Sequence, residues 1–183
     1  MVQMNLDNFP HNYEVQVLEE LPGNAGCDLY FPEGSSSGGR DGILLRISSP
    51  GAPSWTGAFA FGDGGFSGIL SCPNPNQICV VSFGAGYVLN TVERQLLDEP
   101  YNDVLGVGSV PQCQLLIFHN STRLYALGPN GVEWENAGLG YEMEVSELSP
   151  TVIRGTTCFR EITSDFVVET ATGKTVSLVK RLR

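Results

Sequence analysis

An all-β fold, either an antiparallel sandwich or a twisted propeller-like meander with one short helix, is what this sequence predicts. Three observations carry that expectation. Charged residues make up only 16% of the 183 residues, while 22 glycines and 11 prolines punctuate the chain; this balance suits short strands and tight turns better than helices. Apolar residues recur with a period of two or in short continuous runs. Between them lie clusters of Gly, Pro, Asn and Asp with turn chemistry. At this length the chain is expected to form a single domain, 1–183, with a core that needs no disulfide staples. Its 42% hydrophobic content argues against disorder.

Element by element, YEVQVL (13–18) alternates as a half-buried first strand. The stretch 22–42 is rich in Gly and Ser, with GSSSGG at its centre, and reads as a flexible loop. GILLRIS (42–48) and TGAFAFG (56–62) are strands, and the Gly-Asp-Gly-Gly cluster at 62–65 leads into a third, FSGILS (66–71). PNPNQ then turns the chain into ICVVSF (78–83), an apolar run expected at the centre of a sheet. After Gly84-Ala85-Gly86 comes YVLN. Asn90 followed by Glu93 has capping-box spacing, and Pro100 supplies a stop, so about two turns of helix are expected over 91–98.

The remainder is β again: 114–120, 122–128, 131–136, 140–148, 151–156, 164–170 and 174–180. Pro129-Asn130-Gly131 and Thr172-Gly173 carry the turn chemistry of two hairpins. In 139–145, Leu139, Tyr141, Met143 and Val145 alternate with Gly140, Glu142 and Glu144, which describes a sheet with one wet face.

A weak internal repeat is visible. Tyr87-Val88-Leu89 aligns with Tyr125-Ala126-Leu127 at an offset of 38, and Phe166 follows Tyr125 by 41. Spacings near 40 with several strands per unit are those of propeller blades. A closed propeller takes about four to eight blades, and this chain has room for about three or four.

The segments Trp55-Thr56-Gly57, CVVSFGAGYVLNT (79–91), LLIFHNSTRLYALGPNGVEWENAGLGYEMEV (115–145) and FVVETATGKTV (166–176) together resemble a group of small bacterial all-β proteins. The resemblance covers about residues 55–178. It departs at Leu139-Gly140-Tyr141-Glu142, where that pattern has Trp-Asp-Gly. It implies β architecture and a bacterial source, and brings no activity with it.

Charge excludes several function classes. The chain has a net charge of −10, with 20 acidic against 10 basic residues, and three of the basic ones, Lys180, Arg181 and Arg183, crowd its last four positions. Such a surface repels nucleic acid and anionic membranes, and suits a basic protein partner. No basic and apolar leader opens the sequence, so a cytoplasmic location is expected. No apolar run reaches the ~18 residues of a spanning helix.

Five cysteines are an awkward number for a disulfide framework, and whether Cys72 and Cys79 bridge across PNPNQ stays open. No metal site or cofactor is expected, because CxxC is absent and the histidines are only His11 and His119. His119 ends a strand with no nucleophile in an obvious relation to it. No GxSxG elbow, P-loop or dinucleotide fingerprint occurs. An enzyme is therefore not the leading expectation.

The glutamates are the one chemical cluster. Glu133 and Glu135 share a face of GVEWEN, and Glu142 and Glu144 share a face of GYEMEV. If the two strands pair, four carboxylates gather on one sheet face, at a cost from like-charge opposition. Three functions follow as expectations. The first is a protein-interaction module, immunity- or inhibitor-like, that uses this acidic face. The second is a small-ligand binder near loop 34–42 and Trp55. The third is a carboxylate-based hydrolase using residues such as Glu133 and Glu142.

Overall fold

The computed structural model describes residues 2–21, 26–33, 41–97 and 101–181. They are all-β, in four sheets of mainly antiparallel strands. Two compact units divide the chain, Met1–Asp103 and Val104–Arg183. Each is a pair of sheets around its own core.

The N-terminal unit contains β1 (Gln3–Asn5), β2 (Glu14–Leu18), β3 (Leu29–Phe31), β4 (Gly42–Ser48), β5 (Trp55–Ala60), β6 (Gly68–Ser71), β7 (Gln77–Ser82), β8 (Ala85–Asn90) and β9 (Gln95–Leu96). One sheet has the order β2-β4-β5-β3 and the other β1-β6-β7-β8-β9. Leu45, Ile47, Trp55 and Phe59 of the first sheet pack against Ile69, Ile78, Val80, Tyr87 and Leu89 of the second. The run 78–83 does occupy a central strand, and every residue of β7 is buried.

The C-terminal unit contains β10 (Gly106–Val110), β11 (Leu115–His119), β12 (Leu124–Gly128), β13 (Gly131–Asn136), β14 (Tyr141–Leu148), β15 (Val152–Phe159), β16 (Ile162–Glu169) and β17 (Thr175–Lys180). Its sheets are two four-stranded meanders, β10-β11-β12-β13 and β14-β15-β16-β17. Leu115, Ile117, Leu124 and Ala126 of one face Met143, Ile153, Phe166 and Val168 of the other. Alternation fixes the rest: odd-numbered residues of β15 and even-numbered residues of β16 point into the sandwich.

Three expectations change. The helix expected over 91–98 is not formed by 91–97, and residue 98 lies outside the described residues. Asn90 does bond the amides of Val92 and Glu93 through Oδ1, as a cap would. Arg94 then takes φ 60, its amide bonds the Asn90 carbonyl, and the chain returns as β9 beside β8. The cap chemistry closes a hairpin here. The one helical turn among the described residues is the 3-10 segment Pro111–Cys113. Within 22–42, Leu29–Phe31 form β3, parallel to β5; residues 22–25 and 34–40 lie outside the described residues. The short strands β1, β3 and β10 have no signal in the sequence pattern, since two have three residues and β10 is GVGSV.

The C-terminal unit repeats much of the N-terminal one, at an offset of 79 where the chains run in step. Trp55 donates its indole N–H to the Thr91 carbonyl at 2.9 Å. Trp134 donates to the Thr170 carbonyl at 3.0 Å. In both units this bond ties the two sheets together behind the core. Tyr87-Val88-Leu89-Asn90-Thr91 corresponds to Phe166-Val167-Val168-Glu169-Thr170. The turns that follow match as well: the Arg94 amide bonds Asn90 and the Gly173 amide bonds Glu169, both with positive φ. Before the central hairpins, Asn74-Pro75-Asn76 corresponds to Ser149-Pro150-Thr151 at an offset of 75, and the Thr91 and Thr170 amides bond the carbonyls of Asn76 and Thr151. The four-residue difference between the offsets lies in one hairpin. β7 and β8 pair over six rungs, whereas β15 and β16 pair over eight.

Candidate functional site

The four glutamates do not share a sheet face. β13 and β14 belong to different sheets, each as the terminal strand of its meander, so the pairing that would gather the carboxylates does not occur. Trp134 packs against the core, which turns Glu133 and Glu135 outward from one sheet. Met143 is a core residue, which turns Glu142 and Glu144 outward from the other. Glu135 accepts an ion pair from Arg123 at 2.9 Å, with both side chains exposed. Glu133 is the extra residue of a bulge between Ala126 and Leu127 on the partner strand. Glu142 lies in a second bulge, at φ 50. That bulge also breaks the alternation read across 139–145: Leu139 and Met143 are buried, while Tyr141 is exposed. The like-charge cost that suggested a purpose for this face is therefore not incurred.

Trp55 is buried and committed to the Thr91 carbonyl, so it lines no pocket. The loop at 34–40 is outside the described residues. Near it, Asp28, Glu33, Glu93 and Arg94 border a concavity of about 810 Å³ with β3 and β9. Asp28 is already engaged: its Oδ2 accepts from the Thr56 hydroxyl at 2.8 Å and the Thr56 amide at 2.7 Å. Those bonds hold its carboxyl below the usual carboxylate range.

A second cavity, of about 590 Å³ and with a more apolar lining, opens at one end of the C-terminal sandwich. The two extra rungs of the β15–β16 hairpin build it. They carry Phe159 and Ile162 past the end of the core, on the inward face. Tyr141 stacks on Phe159 with ring centroids 5.8 Å apart and planes at 19°. Leu178 of β17 and Leu139 of the β13–β14 link complete the apolar wall. Tyr141, Phe159, Ile162 and Leu178 are 43–56% exposed, in a chain whose other large side chains mostly fill cores. Polar groups sit deeper. Thr157 donates to the Tyr141 carbonyl at 2.7 Å, and Ser164 lies opposite Lys180 in the β16–β17 register. The lining contains neither a carboxylate nor a histidine or cysteine.

The corresponding end of the N-terminal unit is closed. There the hairpin stops at Phe83-Gly84, and the link from β5 to β6 folds over it. Gly62 and Gly64 donate their amides to the Ser82 and Phe83 carbonyls at 2.9 and 3.1 Å. Gly84 donates to the Phe66 carbonyl at 2.9 Å, and Phe83 to the Ser67 hydroxyl at 3.0 Å. Gly84 has φ 87, and a Cβ on it would run into the Gly64 carbonyl; only glycine fits so close an approach. In the C-terminal unit the link is the short Ala137–Gly140, and among the described residues nothing comparable fills the space.

The remaining reactive groups are spread out. All five cysteines are free. Cys72 and Cys79 are fully buried, which pushes both thiols well above the usual range. His119 is held below its ordinary value by burial. Among the described residues no group of three or more His, Cys, Asp or Glu is placed to hold a metal ion, and no helix is long and apolar enough to cross a membrane. No protein-family model matches the chain, and no curated protein is significantly similar to it.

Sequence reasoning missed this cavity. Its signal was present in the period-two continuation of TTCFREITS (156–164), which extends the strand pair beyond 156. Arg160 and Glu161, both at positive φ in the two-residue turn, masked the hairpin, because neither is a residue that turn chemistry favours.

Proposed function

We propose that this protein binds a small molecule in the open end of its C-terminal sandwich, and that binding rather than catalysis is its activity. One observation carries the reading: four large apolar side chains stay solvent-accessible around a concave site, at the place where the other copy of the same architecture is closed. The cavity falls within the ~300–1,000 Å³ range of small-ligand sites, and an apolar lining with a few convergent polar groups is their usual composition. An activated nucleophile needs an adjacent base, and no lining side chain offers that pair. The acidic-face interaction loses its geometric basis with the separation of the four glutamates, as does a two-carboxylate hydrolase using Glu133 and Glu142.

The test is a fragment screen by thermal shift and ligand-observed NMR on the full chain. Binders are expected, and they should lose at least tenfold in affinity in Phe159→Ala and Ile162→Asp. At a concentration one hundred times its Kd, a ligand that binds only the folded chain raises stability by about 2.7 kcal/mol. A screen without binders, or binders indifferent to both changes, would refute the reading.

A further inference from the structure

We infer that the ligand is an amphipathic anion, with a flat or aliphatic apolar body lying along Tyr141, Phe159 and Ile162 and a carboxylate-type group held by Lys180. This rests on the ligand-binding reading above and names the class of molecule. The charge distribution is the first support. In a chain of net charge −10, the charged side chains that line this cavity are both cationic, Arg123 and Lys180. Among the described residues no carboxylate is in the lining, and Glu142 and Glu161 flank it in sequence beside Tyr141 and Ile162.

The two cations are not equivalent. Arg123 neighbours the inward-facing Leu124, so it lies on the outer side of its sheet, where its guanidinium is paired with Glu135 at 2.9 Å. Lys180 lies opposite Ser164 and two residues beyond Leu178, on the same inward side as Phe166 and the cavity. Among the described residues it has no ion-pair partner. The adjacent Arg181 is taken up by a two-pronged bond to Asp165 on the outer face of the sheet. Lys180 is therefore a cation in the cavity lining with no ion-pair partner among the described residues.

The second support is the layout of the walls. Apolar surface is grouped on Leu139, Tyr141, Phe159, Ile162 and Leu178, and hydroxyl-bearing Ser164 stands across from Lys180. Arg160 sits over the Phe159 ring at 5.2 Å, adding positive potential to the aromatic side. A neutral apolar ligand would leave the ammonium unused, and a cation would face it directly. A molecule with one anionic end satisfies both parts of the site, and a charge-assisted hydrogen bond from Lys180 discriminates by roughly tenfold.

The experiment compares three probes with one apolar body: naphthalene-2-carboxylate, naphthalene-2-carboxamide and 2-(aminomethyl)naphthalene, titrated into the full chain by calorimetry. The carboxylate is expected to bind roughly tenfold tighter than the amide, with the amine weakest. Lys180→Gln should bring the carboxylate down to the amide's affinity and leave the amide unchanged, while Lys180→Arg keeps the preference. Equal binding of acid and amide, tightest binding of the amine, or a carboxylate affinity indifferent to Lys180→Gln would overturn the inference. If only neutral or cationic fragments from the screen bind at Phe159 and Ile162, ligand binding stands and the anionic class falls. Failure of every fragment removes the ligand-binding reading itself.

Discussion

The two units of this chain share a sheet-tying tryptophan, a prolyl turn and a hairpin closure; they differ in their outer strands, two of them parallel in the first unit, and at the end beyond the central hairpin. In the N-terminal unit the β7–β8 hairpin stops after six rungs, and a glycine-rich link is bonded down onto its turn. In the C-terminal unit the matching hairpin runs two rungs further, the link is four residues long, and a cavity of about 590 Å³ remains. The shared parts are those that hold a sandwich together; both ends expose aromatic rings, Phe61 and Phe83 in one and Tyr141 and Phe159 in the other, and only the second pair lines a concave site. Elements that tie sheets constrain stability in both copies, while the end beyond the last core layer is free to vary.

The contrast at the hairpin turns gives the largest expected effect. Gly84→Ala places a methyl group against the Gly64 backbone at a positive φ, and should cost about 3 kcal/mol. The corresponding turn position in the open unit already carries Glu161 at φ 67. Glu161→Gly should therefore stabilise, by about 0.5–1 kcal/mol. Urea denaturation of both variants checks the opposite signs; equal effects would break the comparison of a clamped and an unclamped turn.

The tryptophan bonds come next. Trp55→Phe removes a buried donor and leaves the Thr91 carbonyl short of a partner, costing about 2 kcal/mol. Trp134 is only partly buried, so Trp134→Phe should cost about 1 kcal/mol. Denaturation midpoints that reverse this order would contradict the placement of the two residues.

A smaller effect separates the units by pH. Burial depresses His119 in the folded chain, and its Nδ1 has no bonding partner among the described residues. Its contribution is present above the unfolded value near 6.5 and is lost as pH falls below it, since the unfolded state then binds the proton more readily. Stability should decline as pH drops from about 7 to 5, and His119→Phe should flatten that decline. Thiol labelling gives the mildest test. Under native conditions Cys113 and Cys158, both partly exposed, should react with a thiol reagent well before Cys72 and Cys79, which are buried and protonated.

Much of the fold was legible in the sequence. The period-two runs and turn residues located most of the long strands within one or two positions, 131–136 matches β13 at both ends, and β15 runs three residues past the expected 156. What failed did so for physical reasons. The capping signal at Asn90 is real, but side-chain bonds from Asn to following amides serve tight turns as well as helices. The three-residue strands β1 and β3 are held by parallel partners distant in sequence, which no local pattern reports. The duplication was half visible: the spacings of 38 and 41 from Tyr87 through Tyr125 to Phe166 step between strands of different rank, whereas Tyr87 and Phe166 are the true counterparts. Once the latch bonds are known, the Pro75 and Pro150 turns and the Thr91 and Thr170 ends stand out. The glutamate cluster was misread because alternation gives the side of a strand but not its neighbour. A four-residue link can join two sheets as readily as two strands of one sheet.

The central claim is that the end left open in the C-terminal unit is a binding site and its closed counterpart is not. Backbone amide shift mapping of the full chain during titration with naphthalene-2-carboxylate tests it most directly. The account predicts perturbations at 139–141, 157–164 and 178–180, with none at 61–66 or 83–84. Shifts centred on the glycine-rich N-terminal end, or no saturable shifts with this or any screened fragment, would contradict it.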